Sequence, residues 1–235
     1  MLIDPVDVES VHQLRVSIRK FRALISLAKP HMDYDSYLLI QDYFRQRGRE
    51  LADLREMDVL IDWTGQIEGL KDSEIIQRLK AMRIEEQEEV LKLLDEAYVQ
   101  DLRKNYQDFL DLVKASVNSN FTEAFEDRVQ GWDQYIMKKL PEIDDLEWAK
   151  IHRVRIKSKK ARYVCDIFAD DIDPDYANRK KEYKQIQSDL GVRCDQLRNL
   201  EAIDEWIKDD SPQIIEEKAI FKKATEAMGQ EGAMS

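Results

Sequence analysis

The stretch His12-Gln13-Leu14-Arg15-Val16-Ser17-Ile18-Arg19-Lys20-Phe21-Arg22 returns as His152-Arg153-Val154-Arg155-Ile156-Lys157-Ser158-Lys159-Lys160-Ala161-Arg162. The histidine and all four cations of the first copy are met by a like residue 140 positions on. Self-similarity at a fixed offset marks an internal duplication. On an α-helix, which turns about 100° per residue, His12, Arg15, Arg19 and Arg22 share one stripe roughly 80° wide. His152, Arg155, Lys159 and Arg162 make the same stripe in the second copy. Val11, Leu14, Ile18, Phe21 and Ile25 fall on an adjoining face suited to packing. Each copy therefore reads as a helix that buries one side and lines up hydrogen-bond donors along another.

The remainder of the chain supports helix throughout. Its 235 residues are enough for one large or two small domains with a real core, and they include only seven glycines and five prolines. A charged fraction of 36% and a hydrophobic fraction of 43%, rich in Leu, Glu, Lys, Arg and Gln, favour long helices over sheet. The fold class read from this is all-α.

Charge is distributed unevenly. The formal net charge is −11, which taken alone argues against a general nucleic-acid binder. Yet residues 11–32 hold five Lys or Arg and no acid, and residues 148–165 hold seven and no acid. An acidic body carrying two concentrated basic helices keeps non-specific polyanion contact low while focusing a positive field in one place. The acids that would pair at i,i+4 are missing from both stretches. Since like charges on one helix repel, a bound counter-anion is the economical explanation for them.

Periodicity and breakers place the elements. Helices are expected at about 7–28, ended by Lys29-Pro30, and at about 34–63. A third should cover about 72–94, opened by Asp72 or Ser73, and a fourth about 95–117. The polar run Val117-Asn118-Ser119-Asn120 breaks the chain before a helix reaching Leu140-Pro141, and the second basic copy lies in a helix at about 146–169. A long helix to about 190, another from 194 to 208, and a last one opened by Ser211-Pro212 and running to about 227 complete the list. Gly229 to Ser235 should be a disordered tail. Trp63, Trp132, Trp148 and Trp206 read as core or bundle-edge packing, Cys165 and Cys194 as small core residues of a reducing, cytoplasmic setting, and His31 as a helix-end residue.

The duplication reaches beyond the basic helix, because Arg45 with Leu51-Ala52 is echoed by Lys184 with Leu190-Gly191 at an offset of 139. Short links between amphipathic helices imply antiparallel bundles. A duplicated chain then implies two of them, residues 1–117 and 118–228, related by an approximate twofold axis across which the basic stripes face each other.

The two His-to-Arg copies, the run Leu51-Ala52-Asp53-Leu54-Arg55-Glu56-Met57-Asp58-Val59-Leu60, and the later Leu190-Gly191 resemble the CHAD family, the conserved histidine α-helical domains, over about residues 8–208. The resemblance implies a duplicated pair of four-helix bundles with a basic surface or pore that binds inorganic polyphosphate. Family members occur fused to triphosphate-processing enzymes or associated with polyphosphate granules. Carried over position by position, it nominates His12, Arg15, Arg19, Lys20, Arg22, Arg45, Arg49 and Arg55, then His152, Arg155, Lys159, Lys160, Arg162 and Lys184. Ala52, where glycine is usual, and Cys194, where a polar residue is usual, depart from the pattern.

These residue types suit that ligand. Arginine forks match paired phosphate oxygens and lysines add mobile point charges. No aromatic residue interleaves either stripe at base-stacking spacing, which disfavours single-stranded and sequence-specific nucleic acid. The histidines admit three readings: structural hydrogen-bond donors, phosphate contacts strengthened by protonation, or metal ligands, for which Val16 and Ile156 leave no i+4 partner. No P-loop occurs, no run of eighteen apolar residues exists, and no cofactor is implied. The expectation is a non-enzymatic polyphosphate-binding domain away from membranes. Its alternatives are a scaffold or regulatory module docking an acidic protein or phosphate-processing enzyme, and a metal-dependent phosphohydrolase.

Overall fold

The structure is a computed structural model in which residues 7–116, 121–145, 148–172 and 175–232 are described. Those residues form α1 (Val8–Ala28), α2 (Tyr34–Arg49), α3 (Ala52–Gln66), α4 (Glu74–Leu93), α5 (Glu96–Ser116), α6 (Phe121–Lys139), α7 (Trp148–Ile172), α8 (Asp175–Trp206) and α9 (Pro212–Gly232). Short 3-10 segments follow α1 and α6, and no strand occurs among the described residues. The chain is all-α.

Side-chain caps set the helix starts. The Asp7 carboxylate accepts from the Glu9 and Ser10 amides at 3.1 Å each, and Asp33 accepts from Ser36 N at 2.9 Å. Ser73 Oγ accepts from Ile76 N at 3.2 Å, and Asp95 accepts from Tyr98 N at 2.7 Å. Each supplies an acceptor to amides that have no partner inside the helix. Pro30 ends α1, as expected, in a 3-10 turn that leaves His31 at the helix end.

Three expected boundaries differ. The helix anticipated over 34–63 is two helices, α2 and α3, because the backbone breaks at Leu51 (φ −109°, ψ 7°). Leu51 is fully buried, so the apolar period runs on through a turn that pattern alone cannot reveal. Conversely, the helices expected on either side of Gly191 are the single 32-residue α8. Leu190 and Cys194, one turn apart, are both buried and carry the helical face past the glycine. α9 continues to Gly232, four residues into the stretch expected to be tail, and 233–235 lie outside the described residues, as does the break at 117–120.

The helices sort into two compact units, each holding segments from both sides of the 117/118 point. The first comprises residues 1–15, 49–98 and 192–235. Here α3 packs on α4 and α4 on α9 around Leu60, Leu79, Ile203 and Phe221, all fully buried. Trp63 Nε1 donates to Thr225 Oγ1 at 3.0 Å, joining α3 to α9. Gly69 turns the α3–α4 link at φ 87°, a conformation that costs glycine little.

The second unit comprises residues 16–48 and 99–191 and so contains the cationic part of α1 together with all of α7. Phe21 of α1 sits with its ring centroid 4.4 Å from Phe44 of α2 and 4.9 Å from Phe109 of α5, both edge-on. α6 packs against α7, and α8 is tied to both. Tyr183 donates its hydroxyl to Asp133 at 2.8 Å, and Gln187 Nε2 donates to the Ser158 carbonyl at 3.1 Å. Cys165 and Cys194 are free and buried, Trp132 is buried, and Trp63 and Trp206 are half-buried. The Trp148 side chain lies outside what is described.

Candidate anion-binding site

In the second unit the later part of the first basic copy, from Val16 on, meets the second copy. The last two turns of α1 are buried nearly all round, with Ala23, Ile25, Ser26 and Leu27 each under 5% exposed. Ser26, a polar residue in this apolar stretch, is where α7 arrives. Its hydroxyl donates to the Arg22 carbonyl at 2.9 Å and accepts from Gln41 Nε2 at 3.1 Å and from Lys160 Nζ at 3.0 Å. Its carbonyl accepts from Arg128 Nε of α6 at 3.2 Å. Arg22 Nε in turn donates to Gln41 Oε1 at 3.2 Å.

A second contact mirrors the first. Lys20 Nζ lies 2.8 Å from Asp166 Oδ2, and Asp166 also pairs with Lys180 of α8. Lys20 and Lys160 are 140 positions apart, and so are Ser26 and Asp166. Each lysine therefore reaches across to the equivalent position of the other copy.

Electrostatically the two ends differ. The ammoniums of Lys180 and Lys20 hold the Asp166 carboxyl below the usual carboxylate range. Around Lys160 the neighbours are cations. Burial, followed by Arg22, Arg128, Lys157 and Lys29, pushes Lys160 down to about 8. Burial and then Arg128 and Arg153 likewise lower Lys157. His152 is held below the ordinary imidazole value by burial, Arg155 and Lys159. Crowding of this kind is what an anion relieves.

The nominated residues thus fall into groups. Arg19, Lys20, Arg22, Arg45, His152, Arg155, Lys159, Lys160, Arg162 and Lys184 belong to the second unit, whereas His12, Arg15, Arg49 and Arg55 belong to the first. Lys160 of the second copy reaches the Ser26 hydroxyl, and Gln41, which donates to the same hydroxyl, holds the Arg22 guanidinium of the first copy. Lys20 is matched by Asp166, and Arg45, exposed on α2, is paired with Asp42 one turn away. Lys184 is exposed on α8, and the Arg162 guanidinium lies 4.8 Å from the Tyr163 ring centroid.

Three cations of the cluster were not nominated. Lys157 and Lys29 stand inside the two acid-free windows and could have been flagged by them. Arg128 carries no such signal, since it lies on α6 beside Glu126 and Asp127. In the first unit an open cleft of about 660 Å³ is lined by Glu68, Asp72 and Glu217 beside Lys71 and Ser73. Its Glu217 already caps α4, accepting from the Glu74 and Ile75 amides at 3.1 and 2.9 Å. That cleft is acidic and repels anions.

An all-helical domain with a duplicated basic helix is the class these features define. The profile of the CHAD domain matches residues 2–217, and the chain belongs to the CHAD domain family. The fold is similar to that of a solved structure described as the crystal structure of the CHAD domain from the plant Ricinus communis, with a TM-score of 0.78 at 20% identity. That similarity covers 100% of this chain and 84% of the other. A search among curated proteins found no match. No helix among the described residues is long and apolar enough to cross a membrane.

Proposed function

We propose that this domain binds inorganic polyphosphate, without catalysing a reaction, through the cations of the duplicated helices α1 and α7. One observation carries the reading: Lys160 from the second copy and Gln41, which holds the Arg22 guanidinium of the first, meet at the Ser26 hydroxyl within a group of cations. Polyphosphate is a flexible chain with roughly one charge per phosphate and no bases to read. Recognition then rests on charge-assisted hydrogen bonds and counterion release, and arginine and lysine rows provide both.

The finer architecture belongs to the same proposal: two four-helix bundles made by duplication and related by an approximate twofold. The reciprocal reach of Lys20 to Asp166 and of Lys160 to Ser26 supports it, as contacts of i with j and of j with i are the signature of twofold pairing. Two buried free thiols are in keeping with a cytoplasmic setting, and association with polyphosphate granules there belongs to the same proposal.

Calorimetric titration with polyphosphates of graded length, beside RNA and heparin, tests the reading. Affinity should rise with chain length as more cations are engaged at once. It should fall with salt, with a log–log slope of about −0.7 per phosphate neutralised if the ligand behaves as a flexible strand. Arg19→Glu combined with Lys159→Glu should abolish binding with helicity intact. Unchanged affinity in that pair would remove the proposal.

A further inference from the structure

We infer that the duplicated site is one-sided: the end formed by Lys160 and Arg128 at Ser26, with Lys157 nearby, takes a phosphate group of the polyanion, and the equivalent end at Lys20 and Asp166 does not. This rests on the polyphosphate reading and adds where a phosphate sits and which residue decides it.

The argument starts from the mirrored contacts. Positions 20 and 160 are both lysine, but position 26 is serine where its counterpart 166 is aspartate. At the Lys20 end an ionised carboxylate already occupies the place a phosphate oxygen would take, shared between Lys20 and Lys180. A polyanion approaching there meets that carboxylate.

At the Lys160 end the partners are neutral. Lys160 donates to the Ser26 hydroxyl at 3.0 Å, and Arg128 donates its Nε to the Ser26 carbonyl at 3.2 Å. The Arg128 guanidinium also stacks 5.6 Å from the Trp132 ring centroid, and the Lys157 ammonium stands 4.6 Å from that of Tyr135. Rings and hydroxyls position cations without cancelling their charge. Lys160 commits one of three N–H donors to Ser26, and Arg128 commits Nε while its terminal nitrogens carry four more N–H donors. Lys160 and Arg128, with donors in hand, and Lys157, close enough to bear on both, form no ion pair with a carboxylate among the described residues and together suit one tetrahedral anion. The depressed Lys160 pKa, caused by burial and by the surrounding cations, fits a site that lacks its counter-charge.

Residue 26 therefore acts as the selector, and exchanging the two counterparts tests it. Tripolyphosphate binding is measured for the full chain and for Ser26→Asp, Ser26→Asn and Asp166→Ser, each checked by circular dichroism for helicity and cooperative melting. Ser26→Asp builds the Lys20–Asp166 pair at the other end and should weaken binding about tenfold, the value of one charge-assisted contact. Ser26→Asn, similar in size and neutral, should stay within about twofold of the parent. Asp166→Ser removes the blocking carboxylate and should tighten binding severalfold. Should Ser26→Asp fail to fold, Asp166→Ser and Lys157→Gln, the latter expected to weaken binding, decide the matter. Equal losses in the Asp and Asn variants, or unchanged affinity in Asp166→Ser, would overturn one-sidedness while leaving polyphosphate binding in place. A parent protein that binds neither tripolyphosphate nor long chains would overturn both proposals.

Discussion

Lys160 donates to Ser26 Oγ at 3.0 Å from a helix that begins 120 residues after α1 ends, and its closest charged neighbours are cations. A half-buried ammonium held this way destabilises the fold in exchange for a place where an anion is welcome.

Lys160→Met should therefore raise thermal stability and lower polyphosphate affinity together. The sign follows from linkage: the folded pKa of about 8 lies below the ordinary lysine value of 10.5, so the unfolded chain binds more protons between them. The penalty is fully present below about pH 8 and fades as pH rises toward about 10.5. Melting curves of the parent should climb through that window, and those of the variant should lack that part of the rise. A variant less stable than the parent at pH 7 would contradict this.

Polyphosphate affinity should increase as pH falls below 6.5. His152 is neutral at pH 7 because burial, Arg155 and Lys159 oppose its protonation, and a bound polyanion reverses that bias, so binding takes up a proton. With long chains, whose end groups count for little, His152→Asn should flatten the rise between about pH 7 and pH 5.5. Proton uptake measured by titration in buffers of different ionisation enthalpy gives an independent check.

Arg83 and Asp58 form a pair in the first unit at 2.9 Å, with side-chain exposures of only 11% and 4%. Arg83→Met leaves the Asp58 carboxylate buried without that partner and should cost about 3 kcal/mol in denaturant unfolding. Polyphosphate affinity of the folded fraction should not change. A loss under 1 kcal/mol would mean that Asp58 finds another partner or water.

The start of α4 is held by Ser73 from its own chain end and by Glu217 from α9. Glu217→Ala removes the acceptor of two amides and should cost about 1–2 kcal/mol, with Ser73→Ala costing about 1 kcal/mol more. Hydrogen exchange at Glu74 and Ile75 should accelerate in the first variant ahead of the rest of α4.

Much of this was legible in the residues. Ser73 stands at a helix start because its short side chain reaches an amide three residues on, and Pro30 stops α1 because it has no amide to give. The paired copies at 12–22 and 152–162 announced the basic helices through spacing alone. Those are local relations, set by a rotation of about 100° per residue, and sequence contains them completely.

Charge compensation is a different kind of property. Asp166 is 146 residues from Lys20, and Arg128 is 102 from Ser26, with no motif to mark either. Whether a lysine is neutralised depends on which groups lie within a few ångströms through a medium of low polarisability, so it becomes defined only when the helices pack. Leu51 illustrates the same divide for the backbone: its apolar character is plain in the chain, but that it closes one helix and precedes the next follows from where the core lies. The duplication matched Lys20 with Lys160 but left serine at 26 against aspartate at 166, and packing delivers each of those to the lysine of the other copy, which makes the two ends unlike in charge.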